Sequence, residues 1–468
     1  SNNYSASTAG ILTSHLSDHQ PYFICLDYLN KISIKERYIT IKTRSPNFYD
    51  AIKVELENAN IMNALDADLR CDPNVTYDII ESIISQCVSK HTSTKRVKFN
   101  KAKHKKNKWI TKGILKSITF RDKLYVNLKR TRSDADNFSS LKINLKTYNR
   151  ILRNTIRKAK IQYYNHIFAG AQNDIRRTWK HINSILNKSD DQASLPEHLN
   201  VAGQIVTEER NILDAFNTHF SKIGEIISDS LPSTNNPLAF LEYLPDTEPN
   251  HFEFRCVNSE TVLNIISNLQ HKHTAGDDGI STILLKHIKH EISEPLALVI
   301  NQSITTGLFP DKLKIARVKP LFKKSDPHNV NNYRPISILP SISKCFEKVL
   351  LQQLNNFFQC HSLYHNGQYG FREKHSTEFA ALELTDRIIT EMDKGNTPLS
   401  IFLDLSKAFD SLDHSILIRK LEHYGIQGTS LNLCRNYLHN RSQYTKHNSN
   451  YSSSSNLAHG VPQGSVIG

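Results

Sequence analysis

Apolar residues recur at three- and four-residue intervals through much of the chain, which is the spacing of one face of an amphipathic helix. We predict helical segments within or over the following ranges: 45–90, 109–130, 141–168, 174–187, 207–227, 258–271, 280–306 and 341–359. Trp179 is expected to anchor the helix at 174–187 in a core. The pattern therefore predicts that residues 31–187 are mostly helical.

A different pattern occupies residues 401–410, which read Ile-Phe-Leu-Asp-Leu-Ser-Lys-Ala-Phe-Asp. Three apolar residues lead into Asp404, which predicts a buried strand that delivers one carboxylate to its end. A carboxylate is a good ligand for Mg²⁺, and phosphoryl transfer uses such ions to neutralise charge on the attacking and leaving oxygens. A single aspartate after a strand is more commonly a turn or cap residue, so the longer string has to carry the functional interpretation.

Charge is concentrated in one part of the chain. The formal net charge is +14, and residues 90–160 hold 23 Lys/Arg against 3 Asp/Glu, so the rest is slightly acidic. A cationic segment of this length favours contact with a nucleic-acid backbone. The alternative is a solvated helical surface.

The cysteines and histidines form no pattern typical of a metal site. The seven cysteines include no Cys-x-x-Cys pair, which predicts free thiols in a reducing, intracellular compartment. No run of eighteen apolar residues predicts a membrane span, and no secretory signal is evident. The first residue is Ser and the chain stops at Gly468, from which we expect an internal fragment of a longer reading frame.

Six short strings occur in the order and spacing typical of reverse transcriptases of non-LTR (LINE-type, jockey-like) retrotransposons. They are Ala-Gly-Asp-Asp-Gly-Ile (275–280), Val-Lys-Pro-Leu-Phe-Lys-Lys (318–324), Asn-Tyr-Arg-Pro-Ile-Ser-Ile-Leu (332–339), Gln-Tyr-Gly-Phe-Arg-Glu-Lys-His-Ser-Thr (368–377), the 401–410 string, and Gly-Val-Pro-Gln-Gly-Ser (460–465). The chain resembles this class most closely over residues 255–468 and more loosely over 105–190. The Asn-Tyr-Arg-Pro-Ile-Ser string fits this class better than a group II intron or retroviral polymerase.

The resemblance implies a role for individual residues. Asp404, with the backbone carbonyl of Leu405, matches the ligands of two Mg²⁺ ions. Phe409 matches the aromatic under the nucleotide sugar, where it would favour dNTP over rNTP; the alternative is core packing.

Two further pairs match nucleotide-binding positions of the family. Lys323 and Arg334 match the cations that hold the triphosphate, and they could instead be surface cations on a loop. Gln463 and Gly464 match the loop that reaches the nucleotide or template. Asp410 and Asp413 are not assigned to metal, and Asp413 is interpreted as a turn or helix cap.

Two N-terminal segments also resemble parts of such elements. Ser-Asp-His-x-Pro at 17–21 resembles the last motif of apurinic-type endonucleases, in which Asp18 would orient His19 against a phosphate. The earlier acidic residues of that nuclease are absent, so this stretch should be inert. Arg157, Lys158 and Lys160 with Tyr163 and Tyr164 suggest a helix that grips RNA; an amphipathic helix with the tyrosines in its seam is the alternative.

The expected fold is α+β: right-hand polymerase fingers and an incomplete palm of a small antiparallel sheet plus helices, preceded by a mostly helical basic connector and an endonuclease-tail strand. The expected domains are an endonuclease remnant (1–30), a connector (31–187), a linker with one helix (188–254) and a truncated reverse transcriptase domain (255–468).

The implied function is RNA-directed DNA polymerase. The partners would be element RNA, a target DNA primer and dNTP, without a membrane, and the intact element protein would occupy cytoplasm and nucleus. No Tyr-x-Asp-Asp or Phe-x-Asp-Asp box occurs in the chain, so we predict that this polypeptide alone does not synthesise DNA. The alternative is a catalytically dead nucleic-acid-binding fragment or a decayed element copy.

Overall fold

The computed structural model describes most of the chain. The described residues are 4–11, 22–28, 38–65, 72–98, 109–131, 137–171, 174–186, 195–201, 203–230, 239–244, 251–405, 407–448 and 450–467. Asp18 and His19 lie outside them, so the endonuclease remnant stays a prediction.

The described residues form thirteen α-helices: α1 (Phe48–Ala59), α2 (Pro73–Lys90), α3 (Lys112–Arg130), α4 (Phe138–Ala169), α5 (Ile175–Ile185), α6 (Glu209–Ser230), α7 (Ser259–Ser267), α8 (Thr282–His287), α9 (Lys289–Thr306), α10 (Ser343–Cys360), α11 (Thr377–Asp393), α12 (His414–His423) and α13 (Gly428–Leu438). Each predicted helical stretch overlaps at least one of them. None of the described helices is both long and apolar enough to cross a membrane.

The strands within the same ranges are β1 (Tyr4–Ile11), β2 (Tyr22–Tyr28), β3 (Tyr38–Arg44), β4 (Thr92–Lys98), β5 (Leu199–Val201), β6 (Gln204–Val206), β7 (Ile315–Phe322), β8 (Tyr333–Ile338), β9 (Arg441–His447), β10 (Asn450–Tyr451) and β11 (Ser455–Leu457). Helices and small sheets together give the predicted α+β class.

The chain divides into two compact units. The first comprises residues 1–43 and 94–182, and the second residues 44–93 and 183–468. In the first unit β1 pairs with β2 antiparallel, and α3 packs against α4, where the rings of Phe120 and Tyr148 lie 5.3 Å apart. Trp179 on α5 is 58% exposed, so the prediction that it anchors a core is wrong.

The main core of the second unit is helical. Helices α7 to α10 and α13 contribute buried residues, and so do α1 and α2. Ile52 of α1, Ile80 of α2, Leu296 of α9 and Phe346 of α10 are each at most 1% exposed. Residues 44–93, which the sequence placed in the connector, therefore complete the same core as residues 251–360.

A small sheet lies beside this core in strand order β10-β9-β7-β8, with β11 also paired to β9. Strand β7 runs antiparallel to β8 and parallel to β9, so the sheet is mixed rather than antiparallel as predicted. The long helical connection between β8 and β9 permits this parallel pairing.

Helix α6 covers one face of the sheet. Its Phe216 and Phe220 are buried with Val318 of β7 in a second apolar cluster, and the Phe216 ring lies 4.7 Å from that of Tyr333. The helix also bonds to β9, where the Thr445 hydroxyl donates to the Leu213 carbonyl at 2.7 Å.

Candidate functional site

The segment that contains Asp404 is exposed and has no regular structure. Ile401, Phe402, Leu403 and Leu405 are 76–90% exposed, and Asp404 is exposed as well. The prediction of a buried strand at 401–405 is therefore wrong for this chain. A strand needs a neighbour that satisfies its backbone hydrogen bonds, and no described strand pairs with this segment.

The residues that follow turn sharply toward the body of the second unit. Lys407 adopts a left-handed backbone with φ of 54°, and its carbonyl accepts from the N–H groups of Asp410 and Ser411. Asp413 then caps α12, since its carboxylate accepts from the N–H groups of Ser415 and Ile416. The interpretation of Asp413 as a helix cap is confirmed.

Asp410 is joined to the loop of residues 460–466, which we call the Gln463 loop. The Gln463 side-chain amide donates to the Asp410 carboxylate at 2.7 Å. Burial raises the pKa of Asp410, while the Gln463 hydrogen bond and the Lys407 charge oppose that rise. The structure thus places Gln463 on Asp410, and Asp404 makes no hydrogen bond or ion pair with Gln463, Lys323 or Arg334 in the described residues.

The Gln463 loop fits closely between that turn and the free edge of β8. The Val461 N–H donates to the Phe409 carbonyl at 2.8 Å, and the Ser337 N–H of β8 donates to the Gln463 carbonyl at 2.9 Å. Gly464 has φ of 119°, and a Cβ there would lie 2.8 Å from the Ser337 carbonyl oxygen. Only glycine allows this approach, so the loop ties the 407–413 turn to the β7–β8 hairpin.

Lys323 and Arg334 lie on the hairpin face opposite α6. Leu321 pairs with Arg334 in register, and side chains alternate between faces along a strand, so Lys323 and Arg334 share one face. Both are exposed. Tyr333 and Ser337 lie on the other face, toward α6. The two cations are therefore neighbours on an open surface that a polyanion can reach.

Phe409 is 40% exposed and lies beside a second aromatic ring. The centroids of Phe409 and Phe371 are 6.0 Å apart in an edge-on arrangement. Phe371 is 86% exposed with φ of 60°, an unusual conformation for a bulky residue. Neighbouring Arg372 donates to the carbonyls of His365 and Gln368 and so holds this loop together.

His219 of α6 also contacts the turn, a position that the sequence did not indicate. The Lys407 ammonium donates to the His219 ring nitrogen Nε2 at 3.4 Å. Burial, reinforced by the Lys407 charge, lowers the pKa of His219 to about 4, so the ring is neutral and can accept. In the sequence, His219 is only a histidine on a predicted amphipathic helix, 188 residues before Lys407.

The Gly276–Gly279 string packs against the sheet on the face with the cations. The Tyr444 hydroxyl donates to Asp277 at 2.5 Å, and Arg317 donates to the Ala275 carbonyl at 2.8 Å. Asp278 accepts from the Ile280 N–H, and burial raises the pKa of Asp278 to about 7. These contacts join the string to β7 and β9.

The basic helix of the first unit presents its charges outward. Arg157, Lys158 and Lys160 on α4 are exposed, and Lys160 lies 4.6 Å from the Trp109 ring centroid. Tyr163 and Tyr164 are half-buried and contact each other edge-on. Helix α4 contains no Asp or Glu, so this surface is uniformly cationic.

Among the described residues, a metal ion would meet single carboxylates rather than a cluster of them. No group of three His, Cys, Asp or Glu that could hold a metal is found among them. Mg²⁺ is commonly bound by one or two carboxylates together with substrate phosphates and water. The exposed Asp404 carboxylate fits one such ligand.

Part of the chain is similar to known proteins. Residues 322–468 match the family model described as Reverse transcriptase (RNA-dependent DNA polymerase). The chain is 29% identical over 266 residues to the probable RNA-directed DNA polymerase from transposon BS of Drosophila melanogaster, covering 55% of this chain and 28% of the relative.

Two further relatives come from the same organism. Identity is 30% over 208 residues to the probable RNA-directed DNA polymerase from transposon X-element, covering 44% of this chain and 23% of that protein. It is 28% over 228 residues to the RNA-directed DNA polymerase from mobile element jockey, covering 48% and 25%. The chain spans about a quarter of the length of these relatives. Residues 322–468 are thus similar to reverse transcriptases, and part of the chain is similar to the RNA-directed DNA polymerases of mobile elements that include jockey.

Proposed function

We propose that the second unit is the nucleotide-binding part of an RNA-directed DNA polymerase, acting in a longer retrotransposon protein. The observation that carries this proposal is the contact between Asp410 and Gln463. It brings the 401–410 and 460–465 strings together at the edge of β8, within the region that matches reverse transcriptases.

The proposed reaction joins a primer 3′-oxygen to the α-phosphate of a dNTP and releases pyrophosphate. Lys323 and Arg334 bind the triphosphate, because both are exposed on one face of the hairpin. Phe409 lies under the sugar and leaves no space for a 2′-hydroxyl. Gln463 and Gly464 border the base pair. Catalysis then depends mainly on positioning and charge stabilisation.

Mg²⁺ is the proposed cofactor, with Asp404 and the Leu405 carbonyl as its protein ligands. When bound, it would neutralise charge on the phosphate oxygens. Since Asp404 lies in an exposed segment without strand pairing, the chain as given is expected to hold the ion weakly.

The proposed template is element RNA, and the proposed primer is target DNA. Helix α4 supports the RNA assignment, because Arg157, Lys158 and Lys160 are exposed and no acidic residue lies among them. Exposed cations next to aromatic rings suit phosphate contacts and base stacking.

A second candidate function is nucleic-acid binding without synthesis. The observation that favours it is the exposed Asp404 segment, together with the lack of a carboxylate cluster in the described residues. In this case the α4 surface alone would account for the biological role.

Two assays on the 468-residue chain separate these functions. The first measures dTTP binding with Mg²⁺ by equilibrium dialysis; we expect Lys323→Ala and Arg334→Ala each to weaken binding about tenfold, as expected for loss of a charge-assisted contact. Lys324→Ala is the matched control, since this exposed neighbour has no assigned role. Absence of dTTP binding in the wild type would leave only the second function.

The second assay is primer extension on an RNA template with Mg²⁺ and dNTPs. We expect no extension by this chain. Robust extension that is lost in Asp404→Asn would overturn the prediction of inactivity and establish the polymerase function directly.

A further inference from the structure

A buried glutamate lies directly behind the Gln463 loop. Glu347 on α10 is completely buried. Its Oε1 accepts from the Ser343 hydroxyl at 2.8 Å, and its Oε2 accepts from the Val466 backbone N–H at 2.5 Å. One carboxylate therefore connects α10 to the end of the Gln463 loop.

A buried cation accompanies this carboxylate. Arg441, the first residue of β9, is 1% exposed and donates to the Tyr437 carbonyl at 2.8 Å. Its Nε and Nη2 have no hydrogen-bond partner among the described atoms. Burial raises the pKa of Glu347, and the Val466 and Ser343 hydrogen bonds and the Arg441 charge favour its ionised form. A buried carboxylate is expensive unless it is hydrogen-bonded in this way.

The glutamate is the third anchor of the loop. The first is the 407–413 turn, to which Val461 and Gln463 bond, and the second is the Ser337 N–H of β8. Without Glu347 the Val466 N–H would lose its acceptor, while the Ser465 N–H would still donate to the Pro462 carbonyl within the loop's own turn.

We propose that Glu347 is a positioning residue that holds the Gln463 loop, and hence Gln463, in place through its bond to the Val466 N–H. One consequence of the proposal rests on the proposed function, namely that nucleotide binding depends on this anchor. The anchoring itself is a property of the fold and can be measured separately.

The first measurement is amide hydrogen exchange over residues 460–467. Glu347→Met keeps a similar volume without an acceptor, and we expect exchange there to rise about tenfold, the factor that loss of a 1.4 kcal/mol contact gives. Glu347→Gln keeps an acceptor oxygen and is expected to restore protection. Amide exchange of residues 289–306, which form α9, shows whether the core is intact.

Two further variants control for the charge left behind. Glu347→Met leaves Arg441 without a nearby negative charge, which alone can impair folding. The double variant Glu347→Met/Arg441→Met removes both charges and should still loosen the loop, whereas Arg441→Met alone should leave it protected. If the double variant folds with α9 protected and the loop exchanges at the wild-type rate, the proposal is wrong.

The second measurement is binding of dTTP with Mg²⁺ to the same variants. Binding should weaken in Glu347→Met and in the double variant about as much as in Gln463→Ala, and Glu347→Gln should match the wild type. If the wild type binds no dTTP, the proposed function fails, and the exchange result still decides whether Glu347 anchors the loop.

Discussion

The side-chain amide of Gln463 donates a 2.7 Å hydrogen bond to the half-buried carboxylate of Asp410, across 53 residues of sequence. This contact joins two strings that have no local reason to meet. We expect Gln463→Leu to destabilise the second unit by about 1 kcal/mol, because a partly buried charged acceptor loses its donor. Urea unfolding measures the change.

The matched control for this variant is Gln427→Leu. Gln427 is exposed, and its side chain does not cap α13, so its replacement should leave the unfolding midpoint unchanged. Equal effects of the two substitutions would show that the Asp410 contact contributes nothing.

Asp278 gives the second unit a characteristic pH dependence. Burial raises its folded pKa to about 7, above the unfolded value, so its contribution to stability is complete at low pH and is lost as pH rises through about 7. We expect Asp278→Asn to be more stable than the wild type at pH 8, on the order of 1–3 kcal/mol, with little gain at pH 4.

Unfolding free energies at both pH values check this difference. Asp386→Asn, at an exposed position on α11, should show no comparable change with pH. If Asp278→Asn loses as much unfolding free energy between pH 4 and pH 8 as the wild type does, the raised pKa assigned to Asp278 is wrong.

His219 should have the opposite effect. Its folded pKa is lowered to about 4, below the unfolded value, so its contribution is complete above about pH 6.5 and is lost as pH falls toward 4. The amide oxygen of His219→Gln can still accept from Lys407. Between pH 7 and pH 4, we expect the unfolding free energy of this variant to fall by on the order of 2 kcal/mol less than that of the wild type. Thermal or urea unfolding across this range tests it, and an unchanged pH slope would argue against a buried neutral ring.

Leu403 can be used to test whether the 401–405 segment is exposed, as observed, or a buried strand, as the sequence predicts. Leu403 is 90% exposed, so Leu403→Ala should change the unfolding free energy by less than about 0.5 kcal/mol. Leu285→Ala, at a residue with no exposure, should cost about 2–5 kcal/mol. A large effect at Leu403 would mean that this segment is buried in solution.

The charges on α4 predict salt-sensitive RNA binding. Replacing Arg157, Lys158 and Lys160 by Ala should weaken binding of single-stranded RNA and reduce the slope of log K against log salt by about 2, at about 0.7 per phosphate contact. Filter binding at several salt concentrations measures both quantities.

The control replaces three lysines of the second unit, Lys222, Lys286 and Lys394, by Ala. The net charge changes equally, so an equal loss of RNA affinity would show that overall charge, rather than the α4 surface, determines binding.

Helical segments could be predicted from sequence because their apolar spacing is local, and α6 and α10 lie close to the expected ranges. The irregular conformation at Asp404 could not, since strand pairing depends on residues far away in the sequence. Trp179 was misjudged for a similar reason: a large apolar residue is buried only where another element covers it. Contacts such as Lys407 with His219, or Glu347 with Val466, depend on the assembled fold and carry no motif.

Helix α6 ends ninety-two residues before the segment that matches reverse transcriptases begins, yet Phe216 and Phe220 fill the space under Val318. A protein trimmed to the matched segment would lose most of β7 together with α6, and Thr445 and Lys407 would lose their partners. The smallest piece worth expressing therefore has to start ahead of α1 at residue 48, because α1 and α2 complete the same core, however the boundary of sequence similarity is drawn.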